Sequence, residues 1–172
     1  MNRALIVNVL RFIVLVFLQV FLLKNISIYN LSIPYPYILI ILLLPFETNN
    51  FILFLLSFAV GLTIDAFYDS PGLHAAACVL LAFVRIIFIN LTVHKDGFDN
   101  EPEPSLSLMG IRWFFTYVLV LTFAHHFFLF TLESFSFSRL PYTLGRLFFS
   151  WIFTVFLILL SGLLFFRSKD RK

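Results

Sequence analysis

Side chains able to do chemistry are few and scattered in this 172-residue sequence. Asp65, His74, Cys78, the adjacent His125 and His126, and four arginines (Arg11, Arg85, Arg112 and Arg146) lie within or beside long apolar runs. A histidine acts as a general base only with a partner in reach, and no nucleophile accompanies His74 in the sequence. Adjacent histidines on a helix point about 100° apart, a poor arrangement for sharing one metal ion. The H-E-x-x-H, G-x-S-x-G and phosphate-loop patterns are missing. A single cysteine permits no intrachain disulfide. Asp65, one carboxylate without a chain of others, is thin support for a proton or ion relay. The expectation is a protein with no enzyme activity, no cofactor and no metal.

The elements that must position these residues follow from composition. Hydrophobic residues make up 61% of the chain and charged ones 12%, against about 25% charged in soluble domains. Mean hydropathy is +1.00. These values exclude a soluble globular enzyme, a disordered chain and a nucleic-acid-binding module. They leave an all-α membrane protein, with residues 1–172 forming one polytopic domain. Six apolar segments are expected, at about 4–23, 31–46, 51–67, 73–93, 108–132 and 144–166. The first is too long for the core of a signal peptide, contains Asn8, Arg11 and Gln19, and lacks an A-x-A site, so it is expected to be retained. The second opens on Pro34 and Pro36 and is marginal in length. A tilted, distorted or partly re-entrant helix buried by its neighbours is expected there. The loop at 94–107 is acidic, and reads as a solvated connector or a docking loop for a basic partner.

Lysine and arginine placement sets the orientation. With the N-terminus inside, Arg3, Lys95, Arg167, Lys169, Arg171 and Lys172 face the cytoplasm, and Lys24 and Arg139 face out. Net charge is +3, which here reflects that distribution. Both termini are therefore expected in the cytoplasm.

Ionisable groups inside spans are costly and need partners. Asn8, Arg11 and Gln19 share one helical face, which reads as a partner face or an internal seam. Arg11 and Arg85 lie deep, whereas Arg112 and Arg146 are nearer helix ends and can snorkel. Asp65 shares a face with Ser57 and Gly61, a small-xxx-small pattern that admits a close helix neighbour. Arg146 sits at a compatible depth, so an Asp65–Arg146 pair is expected. His74 is expected at a helix start by the outer surface.

The stretch Phe58-Ala59-Val60-Gly61-Leu62-Thr63-Ile64-Asp65, followed by Pro71-Gly72-Leu73-His74-Ala75, resembles the signature of the rod shape-determining MreD family. That family has a G-L-x-x-D helix end, a short turn and a small-residue helix start. Gly61, Leu62, Asp65, Gly72 and His74 match it by position. The resemblance implies a six-transmembrane-helix bundle similar to the S-components of energy-coupling-factor transporters. It also implies a non-enzymatic scaffold of the bacterial inner membrane, in contact with membrane lipid and an MreC-like bitopic protein. MreB, RodA and a penicillin-binding transpeptidase of the elongasome would be direct or indirect partners in rod shape and peptidoglycan synthesis. The alternative is a vitamin-binding S-component itself, although the outer loops are short and poor in ligand-like groups.

Overall fold

A computed structural model describes residues 3–26, 32–93, 103–134 and 140–165. Every regular element among them is helical. α1 (Arg3–Phe17) continues as a π-helical turn (Leu18–Leu22) and a 3-10 turn (Leu23–Asn25). A 3-10 turn (Pro36–Ile38) leads into the short α2 (Leu39–Leu42). α3 (Asn50–Tyr68), α4 (Leu73–Thr92), α5 (Leu106–Ser134) and α6 (Leu140–Phe165) complete the bundle. Five stretches are long and apolar enough to cross a membrane: Ile6–Asn25, Asn50–Tyr68, Leu73–Thr92, Leu106–Ser134 and Leu140–Leu164.

The second of the six expected segments is not a sixth helix of this kind. Residues 32–35 are non-helical, and helical turns begin only at Pro36. Pro34 and Pro36 withhold two backbone donors, which disfavours a helix through this stretch. Residues 34–44 are nevertheless buried without interruption. The segment therefore forms the centre of the molecule, as a distorted element enclosed by its neighbours.

Its direction is fixed by contacts with α1. The Gln19 amide donates to the Pro34 carbonyl at 3.1 Å, and Arg11 reaches the Leu43 carbonyl at 3.4 Å. Residues 34–43 thus run antiparallel to α1. The remaining helices close around this axis, with α3 on α4, α4 on α5 and α5 on α6. Large apolar side chains cover the outside, including Phe51, Leu55, Phe58, Leu91, Phe149 and Phe156. Such a surface suits lipid and not water.

α3 and α4 meet most closely at Gly61. A β-carbon there would collide with the α4 backbone at His74 and Ala75. The turn between the helices uses Asp69 at φ 53° and Gly72 at φ 85°, left-handed positions that Asp and Gly tolerate. In α5, Gly110 (φ 77°, ψ 161°) interrupts the first turn, so the long straight portion starts at Ile111.

Candidate functional site

The polar side chains of the core gather in two layers around the 32–45 segment. The lower layer caps its carboxyl-terminal end. Arg85 is buried, donates from Nε to the Tyr117 hydroxyl at 3.1 Å, and donates from Nη2 to the Leu44 and Pro45 carbonyls. Tyr117 in turn donates to the Leu42 carbonyl at 2.7 Å. Arg11 adds the Leu43 carbonyl, the Asn8 side chain at 2.8 Å and the Glu103 carboxylate at 2.9 Å. Four consecutive carbonyls, from Leu42 to Pro45, thereby receive side-chain donors. They lie at and just beyond the carboxyl end of α2, where cations are favoured, and Pro45 also accepts from the Thr48 amide and hydroxyl.

The upper layer holds the amino-terminal half. Between 33 and 36 only Ile33 and Tyr35 retain a backbone N–H. Ile33 donates to Ser150 Oγ at 3.1 Å, and Tyr35 donates to Thr154 Oγ1 at 2.9 Å. Ser150 and Thr154 stand four residues apart on α6, so one helix face serves both donors. Gln19 is fully buried and bonds the Tyr68 hydroxyl at 2.8 Å as well as Pro34.

Inside this layer lies a cluster of aromatic and imidazole rings. The Tyr37 hydroxyl is 2.9 Å from His74 Nδ1 and 2.9 Å from His125 Nε2, with Cys78 Sγ 3.8 Å away. His126 places Nδ1 2.8 Å from the Thr122 carbonyl and Nε2 3.0 Å from Thr154 Oγ1. Tyr35 packs among His74, His125, His126 and Phe130, at 5.4 to 6.5 Å between ring centres. The two adjacent histidines do diverge, one toward Tyr37 and the other toward Thr154.

Comparison with family models, curated proteins and solved structures finds no match. The site therefore has to be read from its own geometry.

Several sequence expectations change here. Asp65 does not pair with Arg146. Its Oδ1 accepts from the His74 amide and the Ser70 hydroxyl, and its Oδ2 accepts from the Ala75 amide, each at 2.9 Å. The carboxylate caps the start of α4 from the end of α3, meeting free N–H groups and the positive end of a helix dipole. Arg146 instead pairs with Glu133 at 3.0 Å and lies over the Phe130 ring. His74 begins α4 as expected, but its side chain is buried against Tyr37 and does not face the outer surface.

The Asn8, Arg11 and Gln19 face is an internal seam, bonded to residues 34 and 43. Arg85 is the deep buried arginine of the lower layer, whereas Arg112 is exposed. Gly61 provides the close approach of α3 to α4, Gly72 the left-handed turn, and Leu62 faces outward. The acidic stretch at 94–102 lies outside the described residues, though Glu103 is seen on Arg11.

Tyr35, Tyr37, Tyr117, Ser150 and Thr154 were not singled out by sequence. The available signals were weak. Two tyrosines alternate with prolines ahead of a short apolar run, and two small hydroxyls sit one turn apart on α6.

Among the described residues no group of three or more potential ligands is arranged to hold a metal ion. What the arrangement does chemically is satisfy a non-helical backbone in the middle of an apolar bundle.

Proposed function

We propose that this chain is a non-enzymatic scaffold of the bacterial inner membrane, of the rod shape-determining MreD type. In this reading it crosses the bilayer six times, counting the distorted 32–45 segment, and keeps both termini in the cytoplasm. Its partner is an MreC-like bitopic protein, through which it acts with MreB, RodA and a penicillin-binding transpeptidase in peptidoglycan synthesis.

One observation carries the reading. The residues matching the family motif build a single α3–α4 unit. Its inner side is consumed by structure: Gly61 fixes the helix spacing and Asp65 caps α4. Its outer side is a groove of about 600 Å³ floored by Gly72, Ala75, Ala76 and Val79 and walled by Phe58 and Phe83. Small residues on a lipid-facing groove allow another helix to approach closely. A rigid inner side and an open outer side are what a helix-binding scaffold requires.

Depletion of the protein in its source bacterium, with cell shape as readout, tests the proposal. Loss of rod shape, together with copurification of an MreC-like protein, is the expected result. Unchanged shape in a rod-forming organism, or stoichiometric binding of a vitamin by the purified protein, would overturn it.

A further inference from the structure

A second opening lies between α1, the central segment and α3, with a volume of about 630 Å³. Val9 and Phe12 of α1 form one wall, Leu56 and Ala59 of α3 the other, and Ile40 and Leu44 the floor. Asn8 and Thr48 are its only polar side chains among the described residues, and both belong to one end. Asn8 stands beside Arg11, which reaches the Leu43 carbonyl, and Thr48 bonds the Pro45 carbonyl at 2.7 Å. The cleft is therefore an apolar slot with a polar mouth at the 45–49 turn. From Asn50, where α3 begins, to Val60 at the deep end is about 15 Å of helix. One leaflet of a bilayer has about the same apolar depth, half of a hydrocarbon core of about 30 Å.

The width of this slot is set by two ties. Gln19 holds α1 to the central segment at Pro34, and Arg11, itself bonded to Glu103, holds it at Leu43. Between them α1 packs on the central segment and scarcely on α3. α1 cannot close onto α3 without breaking these bonds, so the space needs an occupant. Water is a poor one, because apolar cavities stay dry. A helix is too large: a cylinder about 10 Å across and about 15 Å long takes about 1,200 Å³, roughly twice the cleft. The α3–α4 groove differs in being more open, so that a helix can lie along it without entering. The volume of the slot falls instead within the range of about 300–1,000 Å³ that small ligands occupy.

We infer that this cleft seats one acyl chain of a glycerophospholipid from the leaflet on the N-terminal side. The tail lies against Phe12, Ile40 and Ala59, and the ester group meets the polar mouth. There the Asn8 side-chain oxygen accepts from Arg11 at 2.8 Å, which leaves its NH₂ hydrogens as donors for a carbonyl or phosphate oxygen of the lipid. The seated tail completes the packing of α1, whose stretch is the least buried of the five. The site stands independently of the scaffold reading and requires only that the chain lie in a bilayer.

Photolabelling separates a seated tail from lipid in passing contact. The full-length protein is placed in nanodiscs containing a phosphatidylcholine with a diazirine midway along one acyl chain, irradiated, and mapped by mass spectrometry. Lipid in general contact labels outward side chains such as Phe156 of α6. A seated tail also labels Ile40, Leu44 and Val60, core side chains that line the cleft. Ala59→Trp fills the slot from its α3 wall, and should lower the core label relative to Phe156 about tenfold. Asn8→Leu removes the donor at the mouth and should lower the same ratio. Absence of core label in the wild type, or an unchanged ratio in either variant, would overturn the proposal. So would disulfide-linked dimers of Leu56→Cys in a Cys78→Ser background, which would put a second copy in the cleft. If Ala59→Trp does not fold, Leu56→Trp on the same wall takes its place, and the wild-type map decides by itself whether a tail is seated.

Discussion

Asp65 illustrates how far a residue's type constrains its role. A carboxylate inside an apolar helix demands compensation, and an arginine at matching depth was the obvious candidate. The structure meets the demand with two amides and a hydroxyl from the next helix start. Asp65→Ala should therefore lower stability by about 0.5–2 kcal/mol, the range for loss of a helix cap, and Asp65→Asn by less. Arg146→Gln should be additive with either change, because the two residues share no bond. Thermal unfolding in detergent across that double-mutant cycle measures both. A coupling between positions 65 and 146 would restore the discarded pair. Gly61 is constrained differently. Gly61→Val must push α3 from α4 and should cost about 1–3 kcal/mol as an overpacked contact, read from the same melting curves. The four-residue spacing of Ser57 and Gly61 implies a close helix neighbour, and Gly61 is where α3 meets the α4 backbone. The pairing of Asp65 with Arg146 rests on depth along the helices, which says nothing about which neighbour's backbone ends there.

At the scale of elements, hydropathy located five helices well, because each is a long apolar run with polar turns at its ends. The 32–45 segment was legible as unusual, from its two prolines and marginal length, but not as the axis of the fold. Its partners are the reason. They come from α1, α4, α5 and α6, and a chain-local reading has no means of bringing Arg85, Tyr117 and Thr154 to one place. Here the structure makes a firm prediction. Arg85→Met keeps bulk but removes the donors to Leu44, Pro45 and Tyr117. Pro45 keeps its bonds from Thr48, but the buried Leu44 carbonyl loses its donor, at a cost of about 1–3 kcal/mol. The variant should unfold at lower temperature, and limited proteolysis should cut the 45–49 turn faster. Wild-type resistance in Arg85→Met would show that the lower layer is dispensable. The seam on α1 belongs to this scale as well. Arg11, braced by Asn8, and Gln19 hold to the centre a stretch that is otherwise the most exposed of the five.

For the whole molecule, the antiparallel course of residues 34–43 along α1 places Lys24 and Glu47 toward opposite ends of the bundle. Lys24 donates to the Phe67 carbonyl at one end, and the Leu43–Pro45 carbonyls lie with Arg11 and Arg85 at the other. Lys24→Cys and Glu47→Cys, each in a Cys78→Ser background, should label from opposite sides of the membrane with an impermeant maleimide. Lys24→Cys should react in intact cells and Glu47→Cys only after permeabilisation. Labelling of both from the same side would refute the six-crossing topology. Span count and charge bias suggest this arrangement from sequence, and the labelling tests it; the buried interior is not readable there. The central segment also imposes an order on synthesis. It leaves the ribosome before every residue of α4, α5 and α6 that completes its hydrogen bonds. A nascent chain that ends before α6 has nothing with which to satisfy the Ile33 and Tyr35 amides in lipid. Residues 32–45 must therefore wait, sheltered by the insertion machinery or lying at the water boundary, and enter last as a keystone once the later helices stand.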